Sequence, residues 1–304
     1  MSTLQLNAVS RWYGNVVAVN DVTMTIGPGV TGLLGPNGAG KSTLIGMMSG
    51  FLPPSAGTVT LDGEPVTGAP EYYRRVGMVP EAEAMYDLLT GWEFVLANAR
   101  LHKLPNPQAA AGNAIDLVDM REAAGRPIGK YSKGMKQRIK MATALVHEPD
   151  ILLLDEPFNG MDPRQRMHLM ELLTELGKAG KTVLFSSHIL EEVQEIANTI
   201  EVVVSGRHAA SGDFRSIRRL MTERPHQYVI RSSDDRALAA AIIADGSADA
   251  VSLAQGVLDV QAVDFGRFVH ALPRLATTSK VRLLEVTPAD ESLESVFSYL
   301  VARS

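Results

Sequence analysis

Residues 35–43 read GPNGAGKST and residues 151–157 read ILLLDEP. The first stretch matches G-x-x-x-x-G-K-[ST] at Gly35, Gly40, Lys41 and Ser42. At that spacing the glycines let successive backbone N–H groups converge on phosphate oxygens, Lys41 reaches the β/γ-phosphates, and the Ser42 hydroxyl can ligate Mg2+. The second stretch ends an apolar run in two adjacent acids. Asp155 can hold Mg2+ through water, and Glu156 is placed to orient or deprotonate an attacking water. Taken alone, such a pair serves equally well to cap the next helix; beside a phosphate-binding loop the catalytic reading is the stronger one. A third stretch, YSKGMKQR at 131–138, lies within Arg121–Lys140, where seven Lys or Arg stand against one acid, Glu122. It should attract an anion. Lys136 and Lys140 within it are expected on a solvated face, as charged side chains usually are.

These residues need a scaffold, and the hydrophobic pattern supplies one. Strands are expected at LQLNAVS, VVAVNDVTMTI and VTGLL; the last runs directly into the phosphate loop, and a helix, STLIGMMSGF, follows it and stops at Gly50 before two prolines. That order puts a helix N-terminus, with its partial positive charge, against the phosphates. GTVTLDGEPV reads as a hairpin with an Asp-Gly turn and VGMVP as a strand. From Trp92 to about Met120 the spacing is helical. Another helix carries Met135, Ile139, Ala142, Leu145 and Val146 on one face. ILLL and TVLFSS are continuous apolar runs, expected for strands buried on both faces, and they alternate with helices at MHLMELLTELGK and ILEEVQEIAN. The pattern predicts an α/β sheet flanked by helices. Beyond Arg219 the style changes to β-α-β-α-β-α, with VSLA as an additional strand and SLESVFSYLV as the last helix. Residues 222–304 are therefore expected to form a small α+β domain separate from residues 1–221.

Composition sets the outer limits. The 304 residues are 45% hydrophobic and 21% charged, which suits a globular protein with a good core. The absence of cysteine excludes disulfides and thiolate metal sites and fits a reducing compartment. The first residues lack the apolar stretch of a signal peptide, and no run approaches the roughly 18 apolar residues of a membrane span. A formal net charge of -5 argues against a nucleic-acid partner.

GPNGAGKST, YSKGMKQR, ILLLDEP, NGMD and FSSH, in this order, resemble the motifs of the ATP-binding subunits of ABC transporters over residues 4 to about 220. YSKGMKQR and the tail SLESVFSYLV are similar to the drug- and antibiotic-exporter branch, whose permease is a separate ABC-2-type membrane protein. The resemblance implies a P-loop ATPase core of mixed sheet with an antiparallel β subdomain and a helical insert at about 90–130. It implies ATP and Mg2+ as ligands and a cytoplasmic location at the inner face of the membrane, reached through the permease. That permease would dock on the helical insert and the loop after Glu81. Two copies, or a copy and a similar subunit, would sandwich two ATP, so that Ser132, the Gly134 amide and the helix they begin bind the γ-phosphate held by the other subunit. Asn37, Gly38, Ala39 and Thr43 would complete the phosphate loop, and Tyr13 would stack on adenine, with Trp12 as competitor and a structural role for either ring as the alternative. His188 would touch the γ-phosphate and Asp162 would help align the two subunits. The sequence departs from the family pattern in places: the usual LSGGQ is here Tyr131, Ser132, Lys133, Gly134 and Met135. Glu81 stands where a Gln is usual, and its carboxylate can hold Mg2+ or water but is sensitive to protonation. Met135 replaces a Gln expected near the ribose. His147, His168 and His208 receive no role. Two other outputs share these motifs: a soluble ATPase acting on ribosomes or DNA, disfavoured by the single phosphate loop and the acidic charge, and a sensing or regulatory complex with little net transport.

Overall fold

The computed structural model describes residues 2–66, 69–82, 85–213, 216–217, 226–254 and 257–288. They fall into two compact units, one within Met1–Phe214 and one within Arg215–Arg303. In the first unit, strands β1 (Leu4–Tyr13), β2 (Val16–Ile26), β4 (Ala56–Leu61) and β5 (Glu64–Pro65) form an antiparallel sheet in the order β2-β1-β4-β5. Alternation decides its faces: Leu4, Leu6, Val22, Ile26 and Val59 are buried while their strand neighbours meet solvent. Asp62 and Gly63 turn β4 into β5 with φ of 51° and 86°, the left-handed pair that two-residue hairpins require.

The second sheet of this unit carries the chemistry. Its order is β10-β9-β3-β8-β7-β6, built from β3 (Gly29–Leu34), β6 (Val76–Val79), β7 (Ile151–Leu154), β8 (Thr182–Ser187), β9 (Thr199–Val204) and β10 (Arg207–Gly212). All pairings are parallel except β9 with β10. Every residue of β7 and β8 is buried, which explains their unbroken apolar sequences. Phe158 and Phe185 meet edge to face behind the strand ends, with centroids 5.5 Å apart. Because β3, β7 and β8 run parallel, the residues that follow each of them emerge at one edge, where ligands of such sheets bind.

Helices α1 (Lys41–Met48), α2 (Pro70–Tyr73), α3 (Gly91–Leu101), α4 (Pro107–Leu117), α5 (Lys133–Leu145), α6 (Pro163–Lys178) and α7 (Leu190–Ile196) complete the unit. The helical insert opens with a reciprocal cap in which the Thr90 hydroxyl accepts from Glu93 N–H and the Glu93 carboxylate accepts from Thr90 N–H. Strand β10 was not expected, since RHAASG lacks β-branched residues and offers no propensity signal. The cue lay in the turn before it. Ser205 and Gly206 have φ of 48° and 77° and fold β10 back on β9. That turn also touches the phosphate loop: Gly206 N–H donates to Ala39 O at 2.9 Å, and Asn20 N–H donates to Gly206 O at 2.7 Å.

The second unit is β-α-β-β-α-β: β11 (His226–Ser232), α8 (Asp235–Asp245), β12 (Ala250–Ala254), β13 (Val257–Ala262), α9 (Phe265–Thr278) and β14 (Leu283–Pro288). Its strands pair antiparallel in the order β12-β13-β11-β14, the split βαβ arrangement, over a core of Ile230, Leu238, Leu258, Val260 and Phe268. The extra strand anticipated at VSLA is present as β12. The helix expected at SLESVFSYLV lies outside the described residues.

Just past α5, the His147 ring stacks on His102 with centroids 3.8 Å apart, and its Nε2 lies 3.2 Å from Val76 O. A proton on the buried Nδ1 would find no acceptor among the described residues. Burial, then the neighbouring His102 and Lys181, pushes His147 down to about 4, against partial compensation from the Val76 carbonyl. The unfolded chain therefore takes up a proton between the ordinary value of 6.5 and about 4 that the folded chain refuses, so this group lowers stability as pH falls through that window. We expect His147→Gln to reduce the difference between denaturation midpoints measured at pH 7 and pH 5; equal differences in the two proteins would refute the assignment.

Candidate active site

The loop after β3 turns sharply into α1 around Gly40, whose φ is 102°. A Cβ at Gly40 would stand 2.6 Å from Ala18 O, and one at Gly35 would stand 2.2 Å from Val203 O, so both positions admit only hydrogen. No side chain caps α1, which leaves its first amides for an external acceptor. A cavity of about 370 Å3 opens there, lined by Ala18, Asn37, Gly38, Gly40, Lys41, Ser42, Thr43, Glu81 and Glu156. Gly35 and the buried Ala39 shape the loop without lining the cavity.

Lys41 is buried and its Nζ donates to Gly35 O at 2.7 Å and Pro36 O at 3.2 Å, while Glu156 Oε1 lies 3.5 Å away. On the other side of the Glu156 carboxylate, His188 Nδ1 stands 3.1 Å from Oε2 and 3.2 Å from Oε1. The structure thus brings together three residues that lie far apart in the chain: the loop lysine, the acid after β7 and the histidine after β8. Glu156 has φ of 47°, a left-handed conformation that costs a non-glycine residue about 1–3 kcal/mol and is concentrated at active sites.

One residue that sequence reasoning missed organises this edge. Ser186, fully buried in β8, donates its hydroxyl to Asp155 Oδ1 at 2.7 Å and accepts from Glu156 N–H at 2.8 Å. A single oxygen thereby fixes both acids. The signal available was a pair of serines ending an otherwise apolar strand. The second of the pair, Ser187, donates to Glu192 Oε2 at 2.6 Å and accepts from Ile189 N–H at 3.0 Å, and Arg166 lies 3.3 Å from Glu192 Oε1. The segment holding His188 is therefore tied at both ends. Asp155 is buried and does not line the cavity.

The remaining predicted residues lie outside the cavity lining. Ser132 is exposed and caps α5, its hydroxyl accepting from Met135 N–H at 3.2 Å. Gly134 packs against Gly160 and Met161, where a Cβ would stand 3.2 Å from Gly160 O. Asp162 is exposed and caps α6 by accepting from Gln165 N–H at 2.9 Å. Signature stretch and NGMD loop are thus neighbours, and Ser132, Gly134 and Asp162 do not line the phosphate cavity of their own chain. Tyr13 and Trp12 are exposed at the end of β1, and the Arg11 guanidinium sits 4.8 Å over the Tyr13 ring. Among the lysines, the expectation of a solvated face is corrected. Lys140 is 5% exposed, and its ammonium donates to Pro80 O at 2.7 Å and to Glu81 O and Ala82 O at 3.3 Å each. Lys136 is mostly covered and lies 3.8 Å from Asp87 Oδ1. Both departures have one cause: their helix face packs on the loop after β6 instead of on water.

The model of the family described as ABC transporter matches residues 19–159. The linearmycin resistance ATP-binding protein LnrL of Bacillus subtilis (strain 168) is 31% identical over 99% of this chain and 99% of its own. A Nod factor export ATP-binding protein I of Burkholderia orbicola (strain AU 1054) is 36% identical over 70% of this chain and 71% of its own. The dimeric structure of a bacterial ABC transporter cassette superposes with a TM-score of 0.65 at 23% identity, covering 70% of this chain and 99% of that one, and so shares its fold.

The hub role of Ser186 is directly measurable. Ser186→Ala leaves a buried carboxylate oxygen and a buried amide without their partner, and we expect a loss of about 1–3 kcal/mol in denaturant unfolding. An unchanged midpoint would show that neither bond matters.

Proposed function

The chain belongs to the ATP-binding subunits of ABC transporters, which hydrolyse ATP, and on that premise we propose that two copies close on two ATP to drive a separate membrane permease of the ABC-2 exporter type. The observation that carries this reading is a division of labour. Lys41, Glu81, Glu156 and the amides of the phosphate loop line one cavity, with His188 on the Glu156 carboxylate, whereas Ser132 and Gly134 of the same chain do not reach it. Each half of the nucleotide site is therefore incomplete until a facing subunit supplies a hydroxyl, an amide and a helix N-terminus, which together suit an anion.

Within one half-site the roles follow from position. The α1 amides and the Lys41 ammonium hold the phosphates, for which Lys41 exchanges its carbonyl and carboxylate contacts. Glu156, poised between Lys41 and His188, accepts a proton from the attacking water, and His188 steadies that carboxylate and meets the γ-phosphate. Asp162, beside the signature stretch, aligns the two subunits. Tyr13, exposed and outside the phosphate cavity, offers its face to the adenine ring.

Mg2+ fits the donor set. Among the described residues no group of three His, Cys, Asp or Glu makes a closed protein cage. The cavity instead offers the Ser42 hydroxyl, with Glu81 on its wall and Asp155 held nearby by Ser186. Such a sparse oxygen set is what Mg2+ takes when phosphates and waters complete its shell. Ser42, Asp155 and Glu81 would hold it, and its charge would neutralise the phosphates.

No helix among the described residues is long and apolar enough to cross a membrane. In this reading the chain works at the cytoplasmic face through its permease, which docks on the helical insert and the loop after Glu81. Export is favoured because the relatives named for linearmycin resistance and Nod factor export align with most of this chain, the first through the C-terminal unit as well.

Two substitutions test the mechanism. Glu156→Gln should retain ATP binding, lose hydrolysis by on the order of 10²–10⁴-fold and accumulate an ATP-bound dimer in size-exclusion chromatography; unaltered turnover would remove Glu156 as the base. Ser132→Arg should abolish hydrolysis while a single subunit binds nucleotide normally. Weakened ATP affinity with a persisting dimer would exclude the facing-site arrangement.

A further inference from the structure

Glu81 lines the phosphate cavity, yet its side chain is exposed and begins a loop. What sets its position is beneath it. Lys140 lies in α5, two turns beyond the Ser132 cap, with three consecutive carbonyl oxygens, those of Pro80, Glu81 and Ala82, at 2.7, 3.3 and 3.3 Å from its Nζ. An ammonium buried to this degree costs several kcal/mol unless its donors are matched. Three carbonyls in succession match it, but they must all turn toward one point. That requirement orients the peptide planes from 80 to 82, and with them the direction in which the Glu81 side chain leaves the backbone. A compact three-donor ammonium suits this tripod, whereas the planar fork of a guanidinium does not.

The same lysine also borders the catalytic acid. A smaller cavity of about 160 Å3 is lined by Lys140 together with Lys133, Lys136, Gln137 and Asn159, and by Glu81 and Glu156, which it shares with the phosphate cavity. One rigid element therefore runs from the signature stretch, through α5 and the Lys140 ammonium, to the residue opposite Glu156. We propose that Lys140 is a positioning residue for ATP hydrolysis, acting through Glu81: it locks the Glu81 backbone to α5, so that movement of the signature helix and placement of the Glu81 carboxylate are one event. This rests on the assignment of the phosphate cavity as the hydrolytic site.

The test is a double-mutant cycle on the full chain, reading steady-state ATPase and binding of a fluorescent ATP analogue. Lys140→Met should fold, bind the analogue as the parent does, and lose kcat by on the order of tenfold or more with KM little changed, as expected when a reacting group is misplaced and affinity is spared. Combined with Glu81→Ala, it should add nothing further, because both changes remove the same placement. Should Lys140→Met fail to fold, Lys140→Arg keeps the charge, breaks the tripod and carries the same cycle. Parental turnover in both Lys140 variants, or losses that multiply with that of Glu81→Ala, would overturn the proposal. So would normal turnover of Glu81→Ala alone. In each of those cases Glu156→Gln would still abolish hydrolysis, which separates failure of this inference from failure of the site itself.

Discussion

The whole site turns on one buried carboxylate set in the wall of the phosphate cavity. Glu156 is almost completely buried, and both the Lys41 ammonium, on the loop after β3, and the His188 ring, after β8, lie against its carboxylate. A lone buried carboxylate would be prohibitively costly, so the Lys41 ammonium cannot leave without another charge taking its place. This constraint explains why β3, β7 and β8 must be neighbours and parallel: only then do three stretches remote in sequence arrive at one edge. It also explains the left-handed backbone at Glu156, which the Ser186 hydroxyl holds by its amide while restraining Asp155 next door.

Much of this was legible in the sequence, and the reason differs by element. The phosphate loop could be read because its chemistry is local: glycines, a lysine and a hydroxyl at fixed offsets have to act together wherever they occur. Strands β7 and β8 were legible because burial on both faces leaves an unbroken apolar signature. The Asp62–Gly63 hairpin announced itself by turn chemistry. The C-terminal unit followed from alternation of strand and helix patterns, including β12. Strand β10 escaped because its small residues owe their conformation to pairing with β9 and not to preference.

Partners across long sequence distances were the illegible part. Nothing in TVLFSS says that its first serine, and not its second, would bridge two acids thirty or so residues upstream. Nothing in KQRIK says that its second lysine would face inward, since the general rule sends lysines to water and the exception depends on where the loop after β6 runs. The signature residues offer the converse lesson. Ser132, Gly134 and Asp162 stand out in the sequence by type and order, yet what they do within this chain is cap and pack helices.

The turn at Ser205–Gly206 carries a consequence of its own. Hairpin tips are ordinarily where a chain absorbs added length, since they face solvent and bind nothing. Here the tip is wedged between β2 and the floor of the phosphate loop, hydrogen-bonded to Ala39 and Asn20, with Gly206 too close to Ala18 for any side chain. A peptide tag or a spliced domain added at this tip would therefore lift the nucleotide's cradle from below.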